Sequence, residues 1–130
     1  MVSAQRIAEH LTSAPHVTKV NYSGLGYTPQ YELVGKYFPR GVGQILSFQV
    51  DGGADSVRRI IDGTKLFSYV PNIGDARSLI VDPARITHRE VPAEARIAAG
   101  VSDNLIRLSI GLEDVNDLIA DLDQAIAAAY

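Results

Sequence analysis

Residues 105–126, with the sequence LIRLSIGLEDVNDLIADLDQAI, contain two different periodic patterns in direct succession and decide the fold. Apolar and polar side chains alternate over residues 105–110, which is the pattern of a half-buried strand. Gly111 interrupts this pattern, and Glu113 and Asp114 follow where a helix amino terminus favours negative charge. Apolar residues then recur at the spacing of one helix face; they are Val115, Leu118, Ile119, Leu122 and Ile126. The segment predicts a strand followed by an amphipathic helix.

Outward from this segment, strand and helix patterns alternate along the chain, divided by glycine and proline. Further strands are predicted at 17–22, 45–50 and 78–81, and further helices at 3–13, from Thr28-Pro29 through Leu33, Val34 and Tyr37, from Gly53 to Gly63, and from Pro92 to Gly100. Four strands separated by helices favour a mostly antiparallel sheet with helices layered on one side. We therefore expect the α+β class, with residues 1–130 forming a single domain.

The composition excludes several classes of protein. A net charge of −3 argues against general nucleic-acid binding, which needs a basic field. No apolar stretch approaches the roughly 18 residues of a membrane span, so no membrane partner is expected. With no cysteine, the chain has no disulfide framework, no thiolate nucleophile and no cysteine zinc site. The sequence is consistent with a cytoplasmic protein.

Catalytic motifs are missing from the chain. It has no G-x-S-x-G elbow, so its serines carry no nucleophile signature. His10, His16 and His88 lack the spacing of a zinc site, and no metal is expected. The glycine pairs 24/26 and 41/43 lack the third glycine of a dinucleotide fingerprint, so we interpret them as turn residues.

Two features remain as candidates for binding. The loop Asn72-Ile73-Gly74-Asp75 leads into a predicted buried strand, an arrangement that often presents binding groups, although it also suits a simple connection. Arg107 projects from its strand on the face opposite Ile106, Leu108 and Ile110. A guanidinium on a rigid strand suits two-pronged recognition of a carboxylate, but an arginine on a solvated sheet face is the alternative.

Around these two features the chain resembles a known family. The residues that carry the resemblance are Asn72-Ile73-Gly74-Asp75-Ala76-Arg77-Ser78-Leu79-Ile80-Val81, then Pro83-Ala84, Thr87-His88, Ala99-Gly100-Val101 and Asp103 through Asp114. They are similar to the carboxyl-terminal signature of the Cys/Met-metabolism enzymes that depend on pyridoxal phosphate (PLP). That family includes cystathionine synthases and lyases, methionine lyases and O-acetylhomoserine sulfhydrylases. The stretch 31–48 and the asparagine at position 72 look most like the sulfhydrylase branch.

The resemblance implies a γ-replacement reaction in which an activated homoserine ester exchanges its acyloxy group for sulfide, giving homocysteine, with PLP as the electron sink. By position, Arg107 would bind the α-carboxylate of a small amino-acid substrate. Asn72 would help to hold that carboxylate, and Thr87 and Ser78 would also line the substrate site. The family's pattern is not kept at Arg85 and Ile86, where its members usually carry small or hydroxyl residues.

The resemblance also implies a missing partner. Family members hold PLP through a lysine of an amino-terminal domain, and Lys19, Lys36 and Lys65 lie in none of the corresponding contexts. We expect residues 1–130 to be the carboxyl-terminal domain of a full-length parent, without bound PLP and inactive alone. Its partners would be the PLP-binding domain and other copies of the parent in a homo-oligomer. The alternatives are a fragment of a cystathionine γ-synthase or lyase, and a non-catalytic binding or assembly module.

Overall fold

A computed structural model of the chain describes residues 2–130, and these residues form nine regular elements. In chain order they are α1 (Val2–Leu11), β1 (Val17–Asn21), α2 (Tyr31–Tyr37), β2 (Ile45–Val50), α3 (Ala54–Gly63), β3 (Leu79–Val81), α4 (Ala93–Ala98), β4 (Leu105–Ser109) and α5 (Val115–Ala129). Each predicted strand and helix has a counterpart in this order. The α+β class is confirmed.

The four strands form one sheet in the order β1-β2-β4-β3, and every neighbouring pair is antiparallel. β4 lies inside the sheet, paired with β2 on one side and with β3 on the other. Arg107 is the middle residue of β4, with Ser47 of β2 and Val81 of β3 as its cross-strand partners. A side chain at this position is therefore fixed by hydrogen-bonded strands on both sides.

Helices α1, α3 and α5 cover one face of the sheet and form the core with it. The strand residues that face these helices are Val20, Leu46, Phe48, Val50, Ile80, Ile106 and Leu108, all buried. In α5, Leu118, Leu122 and Ile126 are buried, while Val115 and Ile119 pack at the edge of the core. The apolar stripe predicted from the sequence is thus the face of α5 that packs into the core. Helices on one side of the sheet are confirmed.

The bounds of two helices differ from the prediction. A helix was predicted at residues 3–13, but α1 spans Val2–Leu11. Thr28-Pro29 was predicted to open the second helix, but α2 begins at Tyr31. The Thr28 hydroxyl donates to the Leu25 carbonyl at 2.8 Å, within the turn before the helix. The hydroxyl is therefore used in the turn and does not cap α2.

Among residues 2–130, no helix is both long enough and apolar enough to cross a bilayer.

Candidate functional site

Arg107 lies on the face of the sheet opposite the helical core. Its neighbours along the strand, Ile106 and Leu108, are fully buried in the core, so the alternation predicted from the sequence holds at this position. Arg107 itself is half-buried. Leu105 and Ser109, which share its face, are buried, so this face is partly covered rather than fully solvated. The guanidinium therefore stands at the edge of a covered region.

One hydrogen bond joins Arg107 to the predicted loop. Its Nη2 donates to the backbone carbonyl of Asn72 at 3.3 Å. The Asn72 side chain turns back on its own loop, where Oδ1 accepts from the Ile73 amide at 2.9 Å. Gly74 has a φ of +81°, a conformation that glycine adopts without strain. The fold thus brings Arg107 and Asn72 together, through a main-chain oxygen that no sequence motif specifies.

The guanidinium keeps most of its hydrogen-bonding capacity. Arginine has five N–H donors, and in the described chain, residues 2–130, the bond to Asn72 is the one that Arg107 makes. It forms no ion pair with any carboxylate of that range. A cation held at one corner with its other donors open suits a bidentate carboxylate ligand.

Ser78 lies at the other end of the same loop and is completely buried. Its hydroxyl donates to Glu113 Oε2 at 2.7 Å and accepts from the Gly111 amide at 2.9 Å. Its backbone amide donates to Glu113 Oε1 at 2.7 Å. Partial burial by itself raises the pKa of Glu113, but the hydrogen bonds from Ser78 outweigh it and leave that pKa below its ordinary value. Both the amide and the hydroxyl of Ser78 are therefore hydrogen-bonded to this ionised carboxylate inside the protein.

Thr87 lies in the turn after β3 and is exposed. Its Oγ1 donates to the Pro83 carbonyl at 3.2 Å and lies 2.7 Å from His88 Nδ1. Within residues 2–130, no hydrogen bond joins Thr87 to Arg107 or Asn72. The structure therefore brings together two of the four predicted site residues, while Ser78 supports the loop and Thr87 stands apart from the pair.

A polar row beside Arg107 was not predicted as part of the site. Ser47 is the cross-strand partner of Arg107 on β2, and Asn21 on β1 is the partner of Ser47. The Asn21 side-chain amide donates to Ser47 Oγ at 3.2 Å. Ser47 alternates with the buried Leu46 and Phe48 along β2, so the sequence held this signal once the strand order was known.

The described residues offer a guanidinium suited to a carboxylate but no lysine on the strands beside it that could hold PLP. No lysine lies on β4 or on either strand that flanks it; Lys19 is on β1, Lys36 on α2 and Lys65 after α3. Lys36 lies over the Tyr37 ring, 5.1 Å from its centroid. Across residues 2–130 no group of three potential ligands is placed to hold a metal ion.

The chain is similar to several curated proteins. The O-acetyl-L-homoserine sulfhydrylase of Leptospira meyeri is 41% identical to this chain over 125 residues. These residues cover 95% of this chain and 28% of that protein. The homocysteine synthase of Schizosaccharomyces pombe is 39% identical over 98% of this chain and 30% of its own length. The L-methionine gamma-lyase of Pseudomonas putida is 41% identical over 98% of this chain and 32% of its own length.

Solved structures give the same result. A crystal structure described as an O-acetylhomoserine (thiol)-lyase of Campylobacter jejuni, which carries a pyridoxyl-lysine phosphate, matches with a TM-score of 0.91 at 41% identity, over 97% of this chain and 30% of that one. The cystathionine gamma synthase of Xanthomonas oryzae, solved with cystathionine, matches with a TM-score of 0.91 at 40% identity, over 98% of this chain and 33% of that one. The chain thus spans about 30% of the length of the relatives that it matches.

Residues 1–127 match the family described as Cys/Met metabolism PLP-dependent enzyme. This match covers nearly the whole chain, and the similarity of fold to the solved structures agrees with it. The chain belongs to the Cys/Met-metabolism family of PLP-dependent enzymes.

Proposed function

We propose that this chain is the substrate-carboxylate-binding domain of a PLP-dependent O-acetylhomoserine sulfhydrylase. The parent protein would make homocysteine by γ-replacement, exchanging the acyloxy group of an activated homoserine for sulfide. Residues 1–130 would form its carboxyl-terminal domain, and PLP would be held by another domain. The parent would act as a homo-oligomer on a small amino-acid substrate.

The observation that carries this proposal is the guanidinium of Arg107. It stands on an internal strand, is fixed at one corner by the Asn72 carbonyl at 3.3 Å, and keeps its other donors open. A planar fork at a fixed height orients an amino acid by its carboxylate and leaves the γ-carbon to reach the reacting centre. A pure scaffold has no need of such a half-buried, unpaired cation.

Each residue of the proposed site has a different task. Arg107 binds the α-carboxylate, and Asn72 holds the guanidinium and frames the same end of the substrate. Ser78 supports the loop from inside the protein. Thr87 is exposed in the turn after β3 and would add a hydroxyl to the substrate site in the parent. No lysine is adjacent to Arg107 in the sheet, so no chemical step through PLP is assigned to these residues.

The relatives leave the reaction open between sulfhydrylase and lyase or synthase. The sulfhydrylase and the methionine gamma-lyase are both 41% identical to this chain. The sulfhydrylase is favoured by the stretch 31–48 and by Asn72, whose side chain caps its own loop through the Ile73 amide. A cystathionine γ-synthase or lyase is the alternative that an activity assay must separate.

A chimera tests the proposal. This chain replaces the matched segment of the Leptospira meyeri sulfhydrylase, and bound PLP and circular dichroism show that the chimera folds. We expect it to form homocysteine from O-acetylhomoserine and sulfide, whereas this chain alone, mixed with PLP, forms none. A folded chimera that joins O-acetylhomoserine to cysteine, or that cleaves cystathionine to cysteine, and makes no homocysteine would identify the alternative. A folded chimera inactive in all of these assays would refute the proposal.

A further inference from the structure

Glu113 connects two segments that are far apart in the chain. It lies between β4 and α5, directly before Asp114, which caps α5. Its two carboxylate oxygens accept from the Ser78 amide and from the Ser78 hydroxyl, both at 2.7 Å. The Gly111 amide donates to the same hydroxyl at 2.9 Å, and the Leu112 amide donates to the Ala76 carbonyl at 2.9 Å. These bonds clamp the end of the Asn72 loop to the start of the last helix.

The clamp is tight because there is no room between the two segments. A Cβ atom at Gly111 would lie 2.2 Å from the Ala76 carbonyl oxygen and 2.6 Å from the Arg77 carbonyl carbon. Both contacts are with backbone, which cannot move aside as a side chain can. Charge-assisted hydrogen bonds at this spacing are stronger than neutral ones and hold the two backbones in register.

The loop between the clamp and Arg107 is short and internally bonded. Asp75 Oδ1 accepts from the Arg77 amide at 2.9 Å, and the two side chains form an ion pair at 3.0 Å. At the far end, the Asn72 carbonyl accepts from Arg107 Nη2. The loop is thus held at both of its ends, at Ser78 by the clamp and at Asn72 by Arg107.

We propose that Glu113 is a positioning residue for substrate recognition: by clamping Ser78 it fixes the loop whose Asn72 carbonyl orients the Arg107 guanidinium. Glu113 does not touch the substrate. It sets the angle at which Arg107 presents its open donors, and so it governs the affinity for a carboxylate. The inference deepens the proposed function and rests on it for the link to substrate, while the clamp itself rests on the contacts alone.

The first experiment tests the clamp in this chain. Glu113→Gln keeps the shape of the side chain but replaces one acceptor oxygen by a donor, and Ser78→Ala removes the hydroxyl that links Glu113 to Gly111. Asp114→Asn is the matched control, because it makes the same chemical change one residue away and asparagine also caps helices. Hydrogen exchange of the Ser78, Leu112 and Ile73 amides and the Nε–H signal of Arg107 are measured by NMR.

We expect exchange of the Ser78 and Leu112 amides to become roughly ten- to a hundredfold faster in Glu113→Gln and in Ser78→Ala, the range for lost charge-assisted bonds. The Arg107 Nε–H signal should shift in both variants and stay in place in Asp114→Asn. If Glu113→Gln exchanges like the control, or if the loop loosens without moving the Arg107 signal, the inference is overturned.

The second experiment places Glu113→Gln in the active chimera. A positioning role predicts a KM for O-acetylhomoserine raised about tenfold, with kcat changed by less than about threefold, since ground-state and transition-state binding are lost together. A purely structural role predicts a lower melting temperature with an unchanged KM, and that result would overturn the inference. An inactive unmutated chimera would instead count against the proposed function, and the NMR result would still decide the clamp.

Discussion

At the scale of the residue, Arg107 is defined by geometry as much as by charge. Its guanidinium is bonded on one side and open on the other, an arrangement that lysine cannot reproduce because an ammonium lacks the planar fork. The strand around it is supported from the opposite face by Ile106 and Leu108, which do not depend on the Arg107 side chain. Recognition and folding are therefore separable at this position.

Arg107→Lys in the chimera should lower kcat/KM by about one to two decades, the range expected when charge-assisted hydrogen bonds are lost. The melting temperature should change by only a few degrees, since the core face of β4 is untouched. Steady-state kinetics and a thermal melt measure both. Arg89→Lys, at an exposed position, is the control and should change neither. Full activity of Arg107→Lys would show that the arginine is structural.

The backbone around Gly111 leaves no room for a side chain. In Gly111→Ala, the new methyl group would meet the Ala76 carbonyl oxygen at 2.2 Å, so the backbone must shift. Overpacking of this kind costs roughly 1–3 kcal/mol of unfolding free energy. Gly35→Ala is the control, because nothing lies within 4 Å of its Cβ position and alanine favours a helix. Urea denaturation should show opposite signs for the two variants, and equal signs would contradict the clash.

At this scale the sequence predicted side-chain direction better than contacts. Alternation placed Arg107 on the correct face, and the resemblance joined it to Asn72. The bond itself uses the Asn72 carbonyl, an atom common to every residue. Ser78 was predicted to line the site, but its two partners lie 33 and 35 residues away, a distance over which periodicity carries no information.

At the scale of the element, α5 does more than cover the sheet. Its residue Asp121 is buried, and its carboxylate accepts from the backbone amides of Lys65 at 2.9 Å and Leu66 at 2.8 Å. It also accepts from the Gln124 side chain at 3.1 Å. A buried carboxylate is tolerated here because amides of the segment after α3 surround it. The last helix therefore fixes the path of the chain that leads to the Asn72 loop.

Asp121→Ala should destabilise the chain by roughly 2–4 kcal/mol, because it leaves two backbone amides without an acceptor in a buried place. Asp123→Ala is the matched control, two residues away on the exposed side of α5. Asp123 pairs with His10 at 2.7 Å on the surface, and such exposed pairs contribute about 0–1 kcal/mol. Chemical denaturation measures the difference. Similar losses in the two variants would show that Asp121 is not a special contact.

Elements with a complete apolar stripe were predicted well, and the short helix was not. The apolar stripe of α5 and the alternating apolar residues of β2 identify the buried face of each element. In α2, by contrast, Leu33 and Tyr37 are 49% and 60% exposed in the described chain. Their spacing fits a helix, but seven residues are too short for the pattern to say which face meets the core. The turn at Thr28 then decides where the helix begins.

At the scale of the whole molecule, the two faces of the sheet have different tasks. One face is sealed by α1, α3 and α5, and the other holds Arg107 and the polar row of Ser47 and Asn21. β4 is shared by both, since its residues alternate between the core and the site. The position of the guanidinium is thus set by the same packing that stabilises the fold.

The first and last helices of the described chain meet in this packing, so we expect the isolated chain to fold in one cooperative transition. Arg6 of α1 donates to Asn116 of α5 at 3.0 Å, and Leu11 and Leu118 are both fully buried in the common core. Because both ends belong to one core, neither can unfold without the other. Thermal melts followed by circular dichroism and by tyrosine fluorescence should coincide.

A pair of leucine variants makes this prediction specific. Leu118→Ala should lower the unfolding free energy of the whole chain by about 2–5 kcal/mol, as expected for a cavity in a core. Leu112→Ala should be nearly neutral, because that side chain is 87% exposed. In both variants the two optical signals should still move together. Melting curves that separate, or a chain without any sigmoidal transition, would show that the core depends on contacts from outside residues 1–130.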